Sequence, residues 1–239
     1  MIFSPYRKTF LDEIRANVTD KTHEISYYNP VFIPVEDHGT LHISAIDEHG
    51  MAVAATSTIN LFFGCKIRGR RTGITFNDGM DDFSTPGFDN DFDVPPSVIN
   101  FVTPGKRPVS SMSPTIVVDN ETGNAKLIVG GSGGTKITTG VLQVILNKLR
   151  FNYSAGDAVN RQRIHHQLSP NELNWQDDTL DGPGWEKLIH QLEQNRGHVL
   201  RETDRMKNTP NTQAIYCHKN GAIEAASDPR HSGVPDGYK

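Results

Sequence analysis

Thr40 stands directly after a glycine and opens a strand-like run, His38-Gly39-Thr40-Leu41-His42. Inside a chain a threonine hydroxyl is a weak nucleophile. At a new N-terminus it gains a free α-amine beside it, and that amine can act as its base. Two motifs downstream could complete such a site. Gly130-Gly131-Ser132-Gly133-Gly134-Thr135 precedes a helical pattern, so bare backbone N–H groups and a helix N-terminus could hold a developing oxyanion or a phosphate. The same run could equally be a tight strand-to-helix turn, and it is not a Gly-x-x-x-x-Gly-Lys-Ser/Thr phosphate loop. Ser110-Ser111 follow Pro104-Gly105-Lys106-Arg107-Pro108. They offer two hydroxyls to a carboxylate from a constrained loop, or serve as ordinary turn serines.

Other chemistries find less support. No Gly-x-Ser-x-Gly elbow is present, which leaves a conventional serine hydrolase unsupported. His165 and His166 are adjacent, so they point in different directions on any regular element, and a structural or surface role is expected. Asp81, Asp82, Asp89, Asp91 and Asp93 are crowded in sequence but do not match the spacing of an EF-hand loop, so no metal is expected. Cys65 and Cys217 are the only cysteines. They lack metal spacing and can be either free thiols or one pair across the fold.

The elements that must position these residues follow from periodicity. Phe10, Ile14 and Val18 predict a short amphipathic helix over about 9–18, followed by an extended polar arm through Pro30 and Pro34. Leu41 to Ile46 and Met51 to Asn60 predict a hairpin around Asp47-Glu48-His49-Gly50. The small residues Ala52, Ala54, Ala55 and Ser57 suggest close packing against a covering layer. Ile74-Thr75-Phe76 predicts another short strand. Thr115 to Val118 and Ala125 to Val129 predict a second hairpin, and Gly130 to Gly134 a glycine turn. A helix follows with Ile137, Val141, Leu142, Val144, Ile145 and Leu149 on its buried side. Ala155 to Arg161 predicts a short helix, Pro170 to Leu180 an irregular stretch and Trp185 to Asn195 a helix. Ala214 to Cys217 and Ala222 to Ala226 form the last hairpin. Hairpins with helices laid on them predict an α+β sandwich.

The 239 residues carry a net charge of −4, with a single dense basic patch at 66–71, which argues against nucleic acid as a partner. No apolar run is long enough to span a membrane, and no signal peptide opens the chain. Asn17-Val18-Thr19, Asn120-Glu121-Thr122 and Asn152-Tyr153-Ser154 fit the N-glycosylation pattern at Asn17, Asn120 and Asn152 and suggest export.

Several motifs together resemble one family. These are Ile25-Ser26-Tyr27-Tyr28, Gly39-Thr40, Thr56-Ser57-Thr58-Ile59-Asn60-Leu61, Met80-Asp81-Asp82-Phe83-Ser84, Pro104 to Thr115, Gly133-Gly134-Thr135 and Ala226-Ser227-Asp228-Pro229-Arg230. In this order they resemble the γ-glutamyltransferases, N-terminal nucleophile hydrolases, from about residue 24 to Tyr238. The resemblance implies half of a four-layer αββα sandwich. It implies a precursor that cuts itself between Gly39 and Thr40, with residues 1–39 as the C-terminal tail of the large subunit and 40–239 as the small, catalytic subunit.

By the same resemblance Thr40 attacks the γ-glutamyl amide of glutathione or its conjugates. The acyl group then passes to water, an amino acid or a dipeptide, and no cofactor is involved. Thr58 matches the family's second threonine, which supports the nucleophile, and Gly133 and Gly134 match its oxyanion donors. Asn60 and Asp82 match its contacts to the donor's α-amine, and Ser110 and Ser111 those to the α-carboxylate. One departure is Gly79, where the family usually has Glu or Gln as a further amine contact. A large-subunit arginine that pairs with the α-carboxylate belongs to a region outside this sequence. The implied partner is the large subunit, and the implied location is the extracellular face of the plasma membrane, on an N-terminal anchor, or secretion. Two other readings are a truncated, non-catalytic paralogue or partial gene product, and an acylase of the same superfamily with another amide substrate.

Overall fold

A computed structural model describes residues 8–30, 39–88, 96–176, 183–203 and 210–238. Its centre is β4 (Ala125–Ser132), which pairs antiparallel with β3 (Thr115–Val118) on one side and β8 (Asn211–Cys217) on the other. The last strand, β9 (Ile223–Ser227), completes a sheet of order β3-β4-β8-β9. Leu127, Ile128 and Val129 on β4 have no solvent exposure, as a strand covered on both faces requires.

One face of this sheet carries α2 (Lys136–Leu149) and α3 (Ala155–Asn160). Ile137, Val141 and Val144 of α2 and Ala158 and Val159 of α3 form the core with Leu127, Val129 and Ala214. Ser154 caps α3 by accepting from the Asp157 N–H at 3.0 Å, which satisfies one of the helix's orphan donors.

The other face is covered by the hairpin β1 (Thr40–Ile46) and β2 (Ala52–Thr58), which packs against β4. Its register sets Thr40 opposite Thr58, His42 opposite Thr56 and Ile46 opposite Ala52. Alternation along both strands puts small and polar side chains inward. Thr40, His42, Ser44, Ala52, Ala54, Thr56 and Thr58 are half-buried, whereas Leu41, Ile43 and Val53 face out and are 61%, 58% and 48% exposed. The hairpin is thus inverted relative to an ordinary surface sheet, whose apolar face turns to the core. The layer order of helices, sheet and hairpin is the α+β sandwich expected.

Several local expectations are corrected. Gly130 and Gly131 belong to β4 and are buried, so the turn is confined to Gly133-Gly134. Leu142 and Leu149 lie on the exposed side of α2, at 53% and 38%. A 3.6-residue period puts Leu142 just beyond the stripe defined by Ile137, Val141 and Val144. Residues 74–76 make only an isolated bridge between Thr75 and Arg68 rather than a strand. The stretch expected to be irregular contains β6 (Leu173–Gln176), which joins β5 (Ile164–His165) and β7 (Leu200–Thr203) in a third sheet. Its residues alternate too briefly to register as a strand. Beside it, α4 (Pro183–Arg196) anchors through Trp185, whose indole N–H donates to the Gln176 carbonyl at 2.8 Å.

Near the N-terminus α1 (Lys8–Ala16) leaves Ile14 exposed, as is Val18 just beyond it. Thr22 and Asp20 dock on the end of α4 through Arg196. Of the arm, 25–28 form a 3₁₀ turn, and 31–38 lie outside the described residues.

Candidate active site

Cross-strand pairing brings Thr40 and Thr58 into contact. The Thr40 hydroxyl donates to Thr58 Oγ1 at 2.9 Å, and the Thr58 hydroxyl donates to the Gly39 carbonyl oxygen at 3.2 Å. Thr58 Oγ1 also accepts from the Asn60 N–H at 2.9 Å, and the Gly39 carbonyl accepts from the Ile59 N–H at 3.0 Å. The Thr58 oxygen therefore sits between the Thr40 hydroxyl and the carbonyl that precedes it. It accepts a hydrogen bond from the first and donates one that polarises the second. A Cβ at Gly39 would overlap the Leu61 and Asn60 carbonyl oxygens, so this close approach of two backbones needs glycine.

Asn60, two residues beyond β2, is in the left-handed region at φ 69°, a conformation asparagine tolerates better than most residues. It is 3% exposed. Its carbonyl accepts from the Gly39 N–H, and its side-chain amide reaches the Asp78 carbonyl at 3.4 Å. Asp78 returns two bonds: its N–H donates to the Ile59 carbonyl at 3.2 Å, and its carboxylate accepts from the Leu61 N–H at 3.1 Å. This ties Asp78, which precedes the 3₁₀ turn Gly79–Asp82, to the segment Ile59–Leu61.

The remaining candidates are brought to the same end of the sandwich by topology. The turn of the β1–β2 hairpin at 46–50 meets the β3–β4 turn and the β8–β9 turn around one depression. The strand ends at Thr40, Thr58, Thr115 and Ser132 therefore lie toward the other end, with Ser110-Ser111 in the loop before Thr115 and Gly133-Gly134 directly after Ser132. His42 adds a direct contact, because a Cβ at Gly130 would overlap its imidazole. Gly133 and Gly134 make the turn into α2 at φ 123° and 59°. In the serine loop, Ser110 Oγ accepts from the Met112 N–H at 3.2 Å. The Ser111 carbonyl accepts from the Thr138 hydroxyl of α2 at 3.2 Å and from Ser113 Oγ at 3.0 Å.

Three participants escaped the sequence reading. His42 bonds Thr56 Oγ1 through Nδ1 at 2.8 Å and Ser44 Oγ through Nε2 at 3.0 Å. Burial lowers its pKa to about 4, so it is a neutral ring at neutral pH. The sequence signal was its inward parity with Thr40. Asp78 and Asn100 gave no signal, because each acts by hydrogen bonds between segments distant in sequence.

Elsewhere, His165 is buried between Thr139 and Gln167, a structural placement. Cys65 and Cys217 are both free thiols, and burial pushes Cys217 up. Asn17, Asn120 and Asn152 are all exposed. Asp81 and Asp82 are described, while Asp89, Asp91 and Asp93 lie outside the described residues. Among the described residues no group of three or more His, Cys, Asp or Glu is placed to hold a metal ion, and no helix is long and apolar enough to cross a membrane. The depression between the three hairpin turns has a volume of about 930 Å³ and contains none of the candidate residues.

The chain is 39% identical over 230 residues to glutathione hydrolase proenzyme 1 of Schizosaccharomyces pombe, covering 96% of this chain and 35% of that protein. It is 37% identical over 234 residues to glutathione hydrolase proenzyme 2 of the same organism, covering 97% and 37%. It thus spans little more than a third of the length of these curated relatives. The solved gamma-glutamyltranspeptidase of Pseudomonas nitroreducens complexed with L-DON superposes with a TM-score of 0.70 at 38% identity, over 83% of this chain and 99% of that one. The family model for gamma-glutamyltranspeptidase matches residues 4–238. With the threonine pair at one end of the sandwich, and a match over nearly every residue, the chain belongs to the gamma-glutamyltranspeptidase family.

Proposed function

We propose that residues 40–239 are the catalytic subunit of a glutathione hydrolase or γ-glutamyltransferase, with 1–39 the tail of its large subunit. The observation that carries this reading is the Thr40–Thr58–Gly39 hydrogen-bond chain. In the uncut chain the Thr40 hydroxyl attacks the Gly39 carbonyl carbon. Its proton leaves toward a neighbouring base, and the Thr58 O–H and Ile59 N–H stabilise the oxygen as it gains charge. Collapse breaks the C–N bond and yields an ester on Thr40 Oγ1. Water hydrolyses that ester, leaving the Gly39 carboxylate and a free Thr40 α-amine.

The freed amine then serves as base while Thr40 Oγ1 attacks the γ-carbonyl of glutathione or a related amide. Gly133 and Gly134 N–H groups receive the oxyanion. The cysteinylglycine amine departs with a proton, and water or an amino-acid or dipeptide acceptor takes the γ-glutamyl group from Thr40. Asn60 and Asp82 hold the α-ammonium, and Ser110 and Ser111 the α-carboxylate. Gly79 leaves that ammonium one contact fewer than the family's usual pattern.

The partner is the large subunit, which would cover the outward apolar face of Leu41, Ile43 and Val53. Exposed sequons at Asn17, Asn120 and Asn152 support an extracellular or secreted location. A Thr40→Ala form of the complete gene product should neither cut itself nor release product from a chromogenic γ-glutamyl anilide. Transfer retained in that variant would overturn the nucleophile assignment.

A further inference from the structure

We propose that Asn100 is a positioning residue that fixes the spacing between the amine-binding and carboxylate-binding halves of the donor pocket; this rests on the function just proposed. Asn100 has no solvent exposure. Its side-chain amide donates to the Asp82 carbonyl at 2.8 Å, and its side-chain oxygen accepts from the Val109 N–H at 3.0 Å. One planar group thus grips the residue proposed to hold the α-ammonium and the residue directly before Ser110-Ser111. The main chain of Asn100 is held as well. Its N–H donates to the Ser97 carbonyl at 2.9 Å, and its carbonyl accepts from the Ser84 N–H at 3.1 Å. Ser84 and Phe101 extend this grip as a parallel bridge.

The chemistry of the side chain explains the choice. An amide carries a donor and an acceptor on one rigid, uncharged plane, and the two bonds run to segments 18 and 9 residues away in sequence. Neither segment lies in a strand or a longer helix, so regular structure does not set their separation. A γ-glutamyl donor carries its ammonium and carboxylate on one carbon, so the two half-sites must be held at a fixed distance to bind both at once. The carboxylate side has a second tether, from Thr138 to the Ser111 carbonyl. Asn100 is hydrogen-bonded to both segments at once.

The test compares the complete gene product with its Asn100→Leu and Asn100→Asp variants. Each is assayed for self-cleavage by intact mass and for kcat and KM with a γ-glutamyl anilide and its des-amino analogue. Self-cleavage uses Gly39, Thr40 and Thr58 and reports folding independently of the donor pocket. Leucine cannot make either bond and leaves two buried polar groups unpaired. The expected result is a cleaved protein with KM raised roughly tenfold or more, a smaller change in kcat and reduced preference for the donor bearing an α-amine. Aspartate keeps the shape, so its KM should rise with pH as its carboxylate ionises against the Asp82 carbonyl; this reading stands even if the leucine variant fails to fold. A cleaved leucine variant with KM within about twofold of the parent, or an aspartate variant with a pH-independent parental KM, would overturn the positioning role alone. A parent protein that is uncut and inactive would overturn the underlying function and the positioning role with it.

Discussion

Two carboxylates four residues apart, Glu224 near the start of β9 and Asp228 just past its end, are each held between two basic groups, toward opposite ends of the sandwich. Asp228, at the end that holds Thr40, is sealed. It pairs with Arg163 at 2.8 Å and Arg230 at 2.9 Å, with all three side chains at most 3% exposed. Glu224, toward the hairpin turns, is open. It pairs with Lys148 at 3.0 Å and His218 at 2.6 Å, and its side chain is 32% exposed. Burial alone would raise the Asp228 pKa, but the two guanidinium groups outweigh it and hold the carboxyl below its ordinary range. Glu224 falls to about 2, chiefly because the Ala155 N–H donates to it, with Lys148 and His218 adding to the effect. The difference teaches where the fold invests rigidity. Both partners of Asp228 are buried guanidinium groups, and it also accepts from the Thr212 N–H at 3.2 Å. The strand ends at β8 and β9 are thereby pinned, while the turn end keeps solvent access.

The sharpest way to break the contrast is Asp228→Asn. Removing one charge from a buried triad leaves two guanidinium groups uncompensated, so a loss of about 3–5 kcal/mol in unfolding free energy is expected from urea titration. Because the Asp228 pKa is depressed, its contribution is fully present above the ordinary aspartate pKa and fades as pH falls below it. A loss near zero would mean the seal is incidental.

Next in size is Thr58→Val, which preserves shape but removes the hydroxyl that touches Gly39 and Thr40. Self-cleavage followed by intact mass should slow by roughly 100-fold, the usual cost of one oxyanion donor. Gly130→Ala should follow, at about 1–3 kcal/mol, because the added methyl collides with the His42 ring. The same ring predicts a pH effect. With a pKa lowered to about 4 by burial, neutral His42 favours the folded state at pH above about 6.5, and that contribution is lost as pH falls toward 4. Glu224→Gln closes the series at no more than about 1 kcal/mol, since solvent reaches the cluster. Its contribution should be present above about 4.5 and lost on descending toward 2. Equal losses for Asp228→Asn and Glu224→Gln would erase the distinction between the two ends.

How much of this was legible in the sequence depended on how local the physics was. Hairpins with turn residues at fixed offsets, such as 47–50 and 119–123, announce themselves. The Thr40–Thr58 pairing follows once the register of that hairpin is known. Asp78 and Asn100 were illegible because their partners lie in irregular segments that only the folded chain brings together. The third sheet was missed because β5 has two residues and β6 and β7 four each, too few to establish a period of two. Gly130 and Gly131 were misplaced in a turn for a related reason. Glycine marks both turns and close backbone approach, and only the imidazole packed above Gly130 separates the two.

The most direct test of the central claim is the N-terminal sequence and intact mass of the complete gene product, assayed in parallel with a γ-glutamyl anilide. A fragment beginning at Thr40, in a preparation that turns over the anilide, is the predicted result. A single uncut chain without activity would contradict it.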